Sequence, residues 1–188
     1  MRIGIFGGSF NPIHEGHVLV ATECLKRLKL DQVWLLVSPG NPLKEHRDLP
    51  PVEDRVKLAR EAIRNPRIEV TGWEAAHGFH YTFDTLSHLK TELRGRKLVW
   101  IMGADSFRDF DHWERWESIA GLLPMAIYSR PGAARLARTA KAATVLAQFC
   151  LRETEAEVLA DADPPAWVFL TGMMSPQSST ALRAKARA

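Results

Sequence analysis

Two histidines three residues apart, His14 and His17, stand in the stretch GGSFNPIHEGH at residues 7–17, directly behind the first apolar run of the chain. Gly7 and Gly8 lack a Cβ, so they permit a tight turn and a close approach of backbone to a ligand. Ser9 adds a hydroxyl and an amide. If a helix begins near residue 15, His14 and His17 project to one side of its positive end, where unpaired N–H groups collect. Phosphate suits that place, because imidazoles beside free amides donate to phosphoryl oxygens as charge shifts during transfer. Two blander readings compete: a pair of ordinary core or surface histidines, or half of a metal site. A metal site needs further ligands, and only Glu15 lies close in sequence, whereas the glycines favour phosphate.

A second group of the same kind closes the chain. Ser178, Ser179 and Thr180 precede Arg183, with spacings of four and three residues from Ser179 and Thr180 that share a helix face. Hydroxyls and amides at a helix start, with a guanidinium one turn on, make another anion site. An N-cap followed by a solvated arginine explains the motif equally well in isolation. No activated Ser, Cys or Lys nucleophile is evident, so positioning and charge stabilisation are the chemistry on offer.

The elements that must hold these residues are legible as short apolar runs alternating with helical patterns. RIGIF (2–6), QVWLLVS (32–38), RIEVTGW (67–73), KLVWIMG (97–103), PMAIYSR (124–130) and AWVFLTG (166–172) predict six strands. Val18, Leu19, Ala21, Leu25 and Leu28 fall at helical spacing, and VEDRVKLAREAIR and TFDTLSHLKTELR repeat that period, with Thr82 opening the latter. Near-continuous apolar strands alternating with amphipathic helices predict an α/β fold, a doubly wound parallel sheet of Rossmann-like type with helices on both faces. Such sheets take ligands beyond the carboxyl ends of their strands. GGSFNPIHEGH, SPGNPLK, GADSF and SPQSSTALR all fall there.

With 188 residues and 21.1 kDa, the chain predicts one domain over 1–188. A formal charge of +3, without long Lys/Arg blocks or aromatics interleaved with basic patches, points to small anionic ligands, with no nucleic-acid partner expected. Cys24 and Cys150 lie in segments that read as helical and predict reduced, buried thiols. MRIGIFGGSF has no signal-peptide pattern and no run of 18 apolar residues exists, so no membrane partner and a cytoplasmic location are expected. The sequence leaves the oligomeric state open.

The ordered set GGSFNPIHEGH, NPLK, HYT, GADSF followed by a Trp-containing WERW helix, RPG and SSTALR, spanning residues 3–183, resembles the nucleotidylyltransferase superfamily, and within it the bacterial nicotinate-nucleotide adenylyltransferases. The resemblance implies transfer of AMP from ATP to nicotinate mononucleotide, giving nicotinate adenine dinucleotide and pyrophosphate, with Mg²⁺ on the phosphates. It implies that His14 and His17 bind ATP phosphates and stabilise the transition state. Gly7, Gly8, Ser9, Phe10 and Gly103 would line the nucleotide pocket, and Ser179, Thr180 and Arg183 would hold the β and γ phosphates. Lys44 would meet the mononucleotide phosphate, Thr82 the nicotinate carboxylate and Trp113 the pyridine ring, with the Glu114 backbone nearby and Asp105 on ribose hydroxyls; a solvated lysine, a simple N-cap, core packing and an aspartate N-cap are their respective bland readings. His80, Gln177 and the SPGNPLK loop depart from the family's commoner residues. Nicotinamide mononucleotide or phosphopantetheine as acceptor, and a non-catalytic nucleotide- or RNA-binding module, are the competing readings.

Overall fold

A computed structural model describes residues 1–40, 49–129 and 137–172. Seven parallel strands form one sheet in the order β3-β2-β1-β4-β5-β7-β6: β1 (Arg2–Gly8), β2 (Gln32–Val37), β3 (Ile68–Thr71), β4 (Lys97–Gly103), β5 (Met125–Ser129), β6 (Cys150–Leu151) and β7 (Trp167–Thr171). The helices between them are α1 (Glu15–Arg27), α2 (Val52–Ala62), α3 (Trp73–His77), α4 (Thr82–Glu92), α5 (Ala104–Arg108) and α6 (Trp116–Ala120). A further short helix spans Lys141–Val145, and a 3-10 segment spans Glu153–Asp161.

The period of two along β1 sorts its side chains between two cores. Ile3 and Ile5 join Leu86 and Leu89 of α4 and Phe107 of α5 on one face. Phe6 joins Val20, Ala21, Cys24 and Leu25 of α1 and Val56 and Ala59 of α2 on the other. Of the predicted helical positions, Ala21, Leu25 and Leu28 join this core, whereas Val18 and Leu19 are half-buried outside it and Val20 and Cys24 take the face instead; each fully buried Leu or Ile contributes about 1.5–3 kcal/mol by leaving water. Strands covered on both faces need apolar residues at every position, and all five residues of β5 are buried.

The chain runs β1, β2, β3 outward to one edge, then returns so that β4 pairs with β1 on its other side. That reversal is the topological switch point, where the ends of β1 and β4 leave a crevice. The doubly wound parallel fold is therefore as the sequence predicts.

Several local expectations are corrected. A seventh strand, β6, has only two residues and carries no period that a sequence could show. Cys150 lies in it and is exposed, neither helical nor buried, while Cys24 is buried and its thiol is pushed up to about 12 by desolvation. The third strand stops at Thr71, and Trp73 opens α3 instead. The WERW stretch is not a helix: Trp113 is extended, Arg115 is left-handed at φ 56°, and α6 starts only at Trp116.

Candidate functional site

Gly7 and Gly8 do not form a turn; they are the last two residues of β1. Their missing side chains serve packing at the strand end. A Cβ on Gly7 would lie 2.5 Å from the Trp100 ring of β4, and one on Gly8 3.1 Å from the Phe10 ring. The bend comes two residues later, at Phe10, whose φ is 43°. Phe10 is 2% exposed, so its ring belongs to the core and leaves its backbone for any ligand. That ring stands edge-on to Phe6 at 5.5 Å and to His17 at 5.0 Å, bracing the histidine from below.

The helix begins where the sequence predicts, with His14 as the extended N-cap of α1. The Nδ1 of His14 accepts from Gly16 N–H at 3.1 Å, and the Nδ1 of His17 accepts from His14 N–H at 3.3 Å. This is a capping box built from two imidazoles, with His17 in the position where Glu or Gln usually reaches back. The rings lie 3.8 Å apart at 30°. Because a backbone N–H can only donate, both Nδ1 atoms hold a lone pair, and the proton of each neutral ring sits on Nε2. One local device therefore holds two imidazoles, each with its proton on Nε2, side by side at a helix N-terminus. His14 is buried and His17 half-buried.

Across the switch point, Gly103 ends β4 and is the N-cap of α5, and Asp105 is exposed in that helix's first turn. Gly8 and Gly103 each lie two residues beyond the paired Phe6 and Ile101, so the histidine loop and the GADSF turn leave neighbouring strands side by side. Asp105 is not a capping residue, since no side chain caps α5.

Thr82 is the first residue of α4, and its N-cap, Tyr81, is extended and makes no side-chain cap. The helix start is secured one turn later, where Thr85 Oγ donates to the buried Glu74 of α3 at 2.9 Å. Desolvation raises the Glu74 carboxyl to about 7, and the Thr85 hydrogen bond opposes that shift. Trp113 is half-buried and edge-on to Phe110 at 5.7 Å, and Glu114 is exposed. The Arg115 guanidinium lies 3.6 Å over the Phe83 ring, so the Trp113 loop is held against the first turn of α4 that carries Thr82. The structure thus places the glycine–histidine set at the ends of β1 and β4, and holds the Trp113 loop to the start of α4 through Arg115 and Phe83. Lys44, Ser179, Thr180 and Arg183 lie outside the described residues.

Arg55 was not predicted. It is 2% exposed in α2, with Nε donating to Pro50 O at 2.9 Å and Nη1 to Ser9 O at 2.7 Å and Ser38 O at 2.8 Å. A signal was present: Val52, Arg55, Val56 and Ala59 follow the i, i+3, i+4, i+7 spacing of a buried stripe, and a charge on it needs a reason. Arg115 and Phe83 carried no such signal, because their contact joins separate elements. A groove of about 600 Å³ between α2 and α3, lined by Val56, Lys57, Arg60, Gly72 and Ala76 among others, contains none of the predicted site residues.

Comparison with known proteins identifies the family. The cytidylyltransferase-like family matches residues 5–185. A protein of Mesorhizobium japonicum named probable nicotinate-nucleotide adenylyltransferase is 46% identical over 187 residues, covering 100% of this chain and 96% of that one. One of the same name from Methylorubrum extorquens is 49% identical over 185 residues, covering 98% and 100%. The structure of Plasmodium falciparum nicotinic acid mononucleotide adenylyltransferase complexed with NaAD superposes with a TM-score of 0.70 at 18% identity, over 97% of this chain and 82% of that one, and so shares the fold. A switch-point crevice flanked by a histidine-capped helix, and near-half identity over the full length of such relatives, make this chain a member of the cytidylyltransferase-like family and, within it, of the nicotinate-nucleotide adenylyltransferases.

Proposed function

We propose that the protein transfers the adenylyl group of ATP to nicotinate mononucleotide, forming nicotinate adenine dinucleotide and pyrophosphate in NAD biosynthesis, within the cytoplasm. An oxygen of the mononucleotide phosphate attacks the α-phosphorus of ATP as the bond to the β-phosphate oxygen breaks, and pyrophosphate leaves. No covalent enzyme intermediate is needed. The observation that carries this reading is the reciprocal cap of His14 and His17, which fixes both rings as Nε2–H donors at the start of α1. Donors held rigid before the reaction cost no reorganisation when charge develops on the phosphoryl oxygens.

In this reading Gly7, Gly8, Ser9, the Phe10 backbone and Gly103 line the nucleotide pocket, and Ser179, Thr180 and Arg183 hold the departing phosphates. Thr82 offers the uncapped amides of α4 to the nicotinate carboxylate, Trp113 faces the pyridine ring with the Glu114 backbone beside it, Asp105 meets ribose and Lys44 the acceptor phosphate. Among the described residues no three His, Cys, Asp or Glu side chains gather to hold a metal. Both Nδ1 lone pairs of the histidine pair are already engaged, so a divalent ion fits here as a ligand of the nucleotide's own phosphates, and we take it to be Mg²⁺. Its chemistry is neutralisation of the charge that accumulates on the leaving pyrophosphate.

The test is pyrophosphate release with ATP, Mg²⁺ and nicotinate mononucleotide, nicotinamide mononucleotide or phosphopantetheine in turn. Nicotinate mononucleotide should give the highest kcat/KM. Product no greater than with phosphopantetheine would overturn the acceptor assignment.

A further inference from the structure

Arg55 is a buried cation whose acceptors are three backbone carbonyls rather than a carboxylate. Desolvation draws its pKa below the ordinary value while the Glu53 charge acts the other way, yet a guanidinium stays protonated. Leaving such a charge in the interior is costly, and an apolar side chain of similar size on the Val52–Val56–Ala59 stripe would fill the space with less penalty. The geometry of the three bonds gives the charge a purpose. Ser9 follows β1 and leads into the histidine cap, Ser38 follows β2, and Pro50 leads into α2. Strands β1 and β2 are neighbours, and Ser38 N–H donates to Gly8 O at 3.0 Å. Nη1 of Arg55 spans the next step outward, gripping Ser9 and Ser38 with a single nitrogen.

We propose that Arg55 is a positioning residue for adenylyl transfer: its guanidinium fixes the exit of β1, which leads into the histidine cap, relative to the exit of β2, after which Lys44, proposed above to meet the acceptor phosphate, follows in sequence. This rests on the function proposed above. In-line displacement needs the attacking oxygen and the α-phosphorus set within a few tenths of an ångström, and a misplacement of about 1 Å costs on the order of a hundredfold in rate. A planar fork that donates along fixed directions can set that spacing; a lysine ammonium, a single point charge on a flexible stem, cannot.

The experiment compares Arg55→Lys and Arg55→Met with the unchanged protein. It measures kcat per ATP-binding site, counted by calorimetric titration, together with the affinity for ATP and for nicotinate mononucleotide each alone. Arg55→Lys should lower kcat ten- to a hundredfold and move each separate affinity less than threefold, because each half-site survives while their relation is lost. A merely structural role would reduce the number of binding sites and leave turnover per site intact. Should Arg55→Met fail to fold, the Lys variant carries the test alone. An Arg55→Lys protein within threefold of wild-type kcat per site, or one whose whole loss lies in ATP affinity, overturns the inference. Wild-type protein that turns over no acceptor overturns the function proposed above and this inference with it, whereas an active wild type matched by its variants overturns this inference alone.

Discussion

His17 has two separable duties, and substitution can divide them. Its Nδ1 accepts the His14 N–H at 3.3 Å, and its ring meets the edge of Phe10 at 5.0 Å. A long neutral hydrogen bond and one aromatic contact together contribute ~1–2 kcal/mol to stability. For a chain of this size, His17→Ala should therefore lower the melting temperature by about 2–8 °C. Its Nε2–H is the proposed donor to the transferring phosphoryl group, and removing one such preorganised donor costs on the order of 10²–10³ in kcat, about 2.7–4 kcal/mol of transition-state stabilisation. His17→Gln separates the two effects, because glutamine in this position of a capping box can accept the N-cap N–H. The Gln variant should melt within a few degrees of wild type while its kcat stays low. The assay is continuous pyrophosphate release at saturating ATP and nicotinate mononucleotide, alongside thermal unfolding followed by circular dichroism. A folded His17→Ala protein with kcat within tenfold of wild type would refute the role at phosphorus. Recovery of full activity in His17→Gln would show instead that the cap, and not the imidazole, is what matters.

Two further outcomes follow from the packing beneath the site. Gly7→Ala places a methyl 2.5 Å from the Trp100 ring and should destabilise by ~1–3 kcal/mol in urea unfolding. Among the described residues Trp100 Nε1 is buried without a partner, so Trp100→Phe should cost little by that atom and restore part of the loss in the double variant; strictly additive changes would refute the contact. Between about pH 4.5 and 7 the unfolded chain ionises at Glu74 while the folded chain keeps the proton, so stability falls across that window and is level above it. The difference amounts to ~3 kcal/mol at pH 8. Glu74→Gln should flatten that part of the unfolding free-energy profile and be the more stable protein at pH 8; an unchanged slope would show that Glu74 ionises freely.

Much of the site was legible because its devices are local. A cap is made by residues two or three apart, so His14, Gly16 and His17 announce the start of α1 in eleven letters. Thr82 was legible for the same reason, as the first residue of a helix with a clear period. The roles of Gly7 and Gly8 were not. Their neighbours Trp100 and Phe10 are brought up by strand pairing and by a left-handed residue, so a strand end reads as a turn. The WERW helix, expected only from the resemblance, is absent because Arg115 is left-handed and its guanidinium lies over Phe83, a contact between separate elements that no local pattern shows.

By itself the sequence determined the alternation of strands and helices, the two-faced parallel sheet and the position of the histidine cap, since these depend on hydrophobic period and on contacts within one helical turn. The tertiary structure alone decided that the ends of β1 and β4 lie side by side, that Arg55 binds the exits of β1 and β2 together, and that Arg115 closes the Trp113 loop onto α4. Each of those relations joins residues 17 or more positions apart. Their energies come from burial and directional hydrogen bonds that exist only after the sheet has formed.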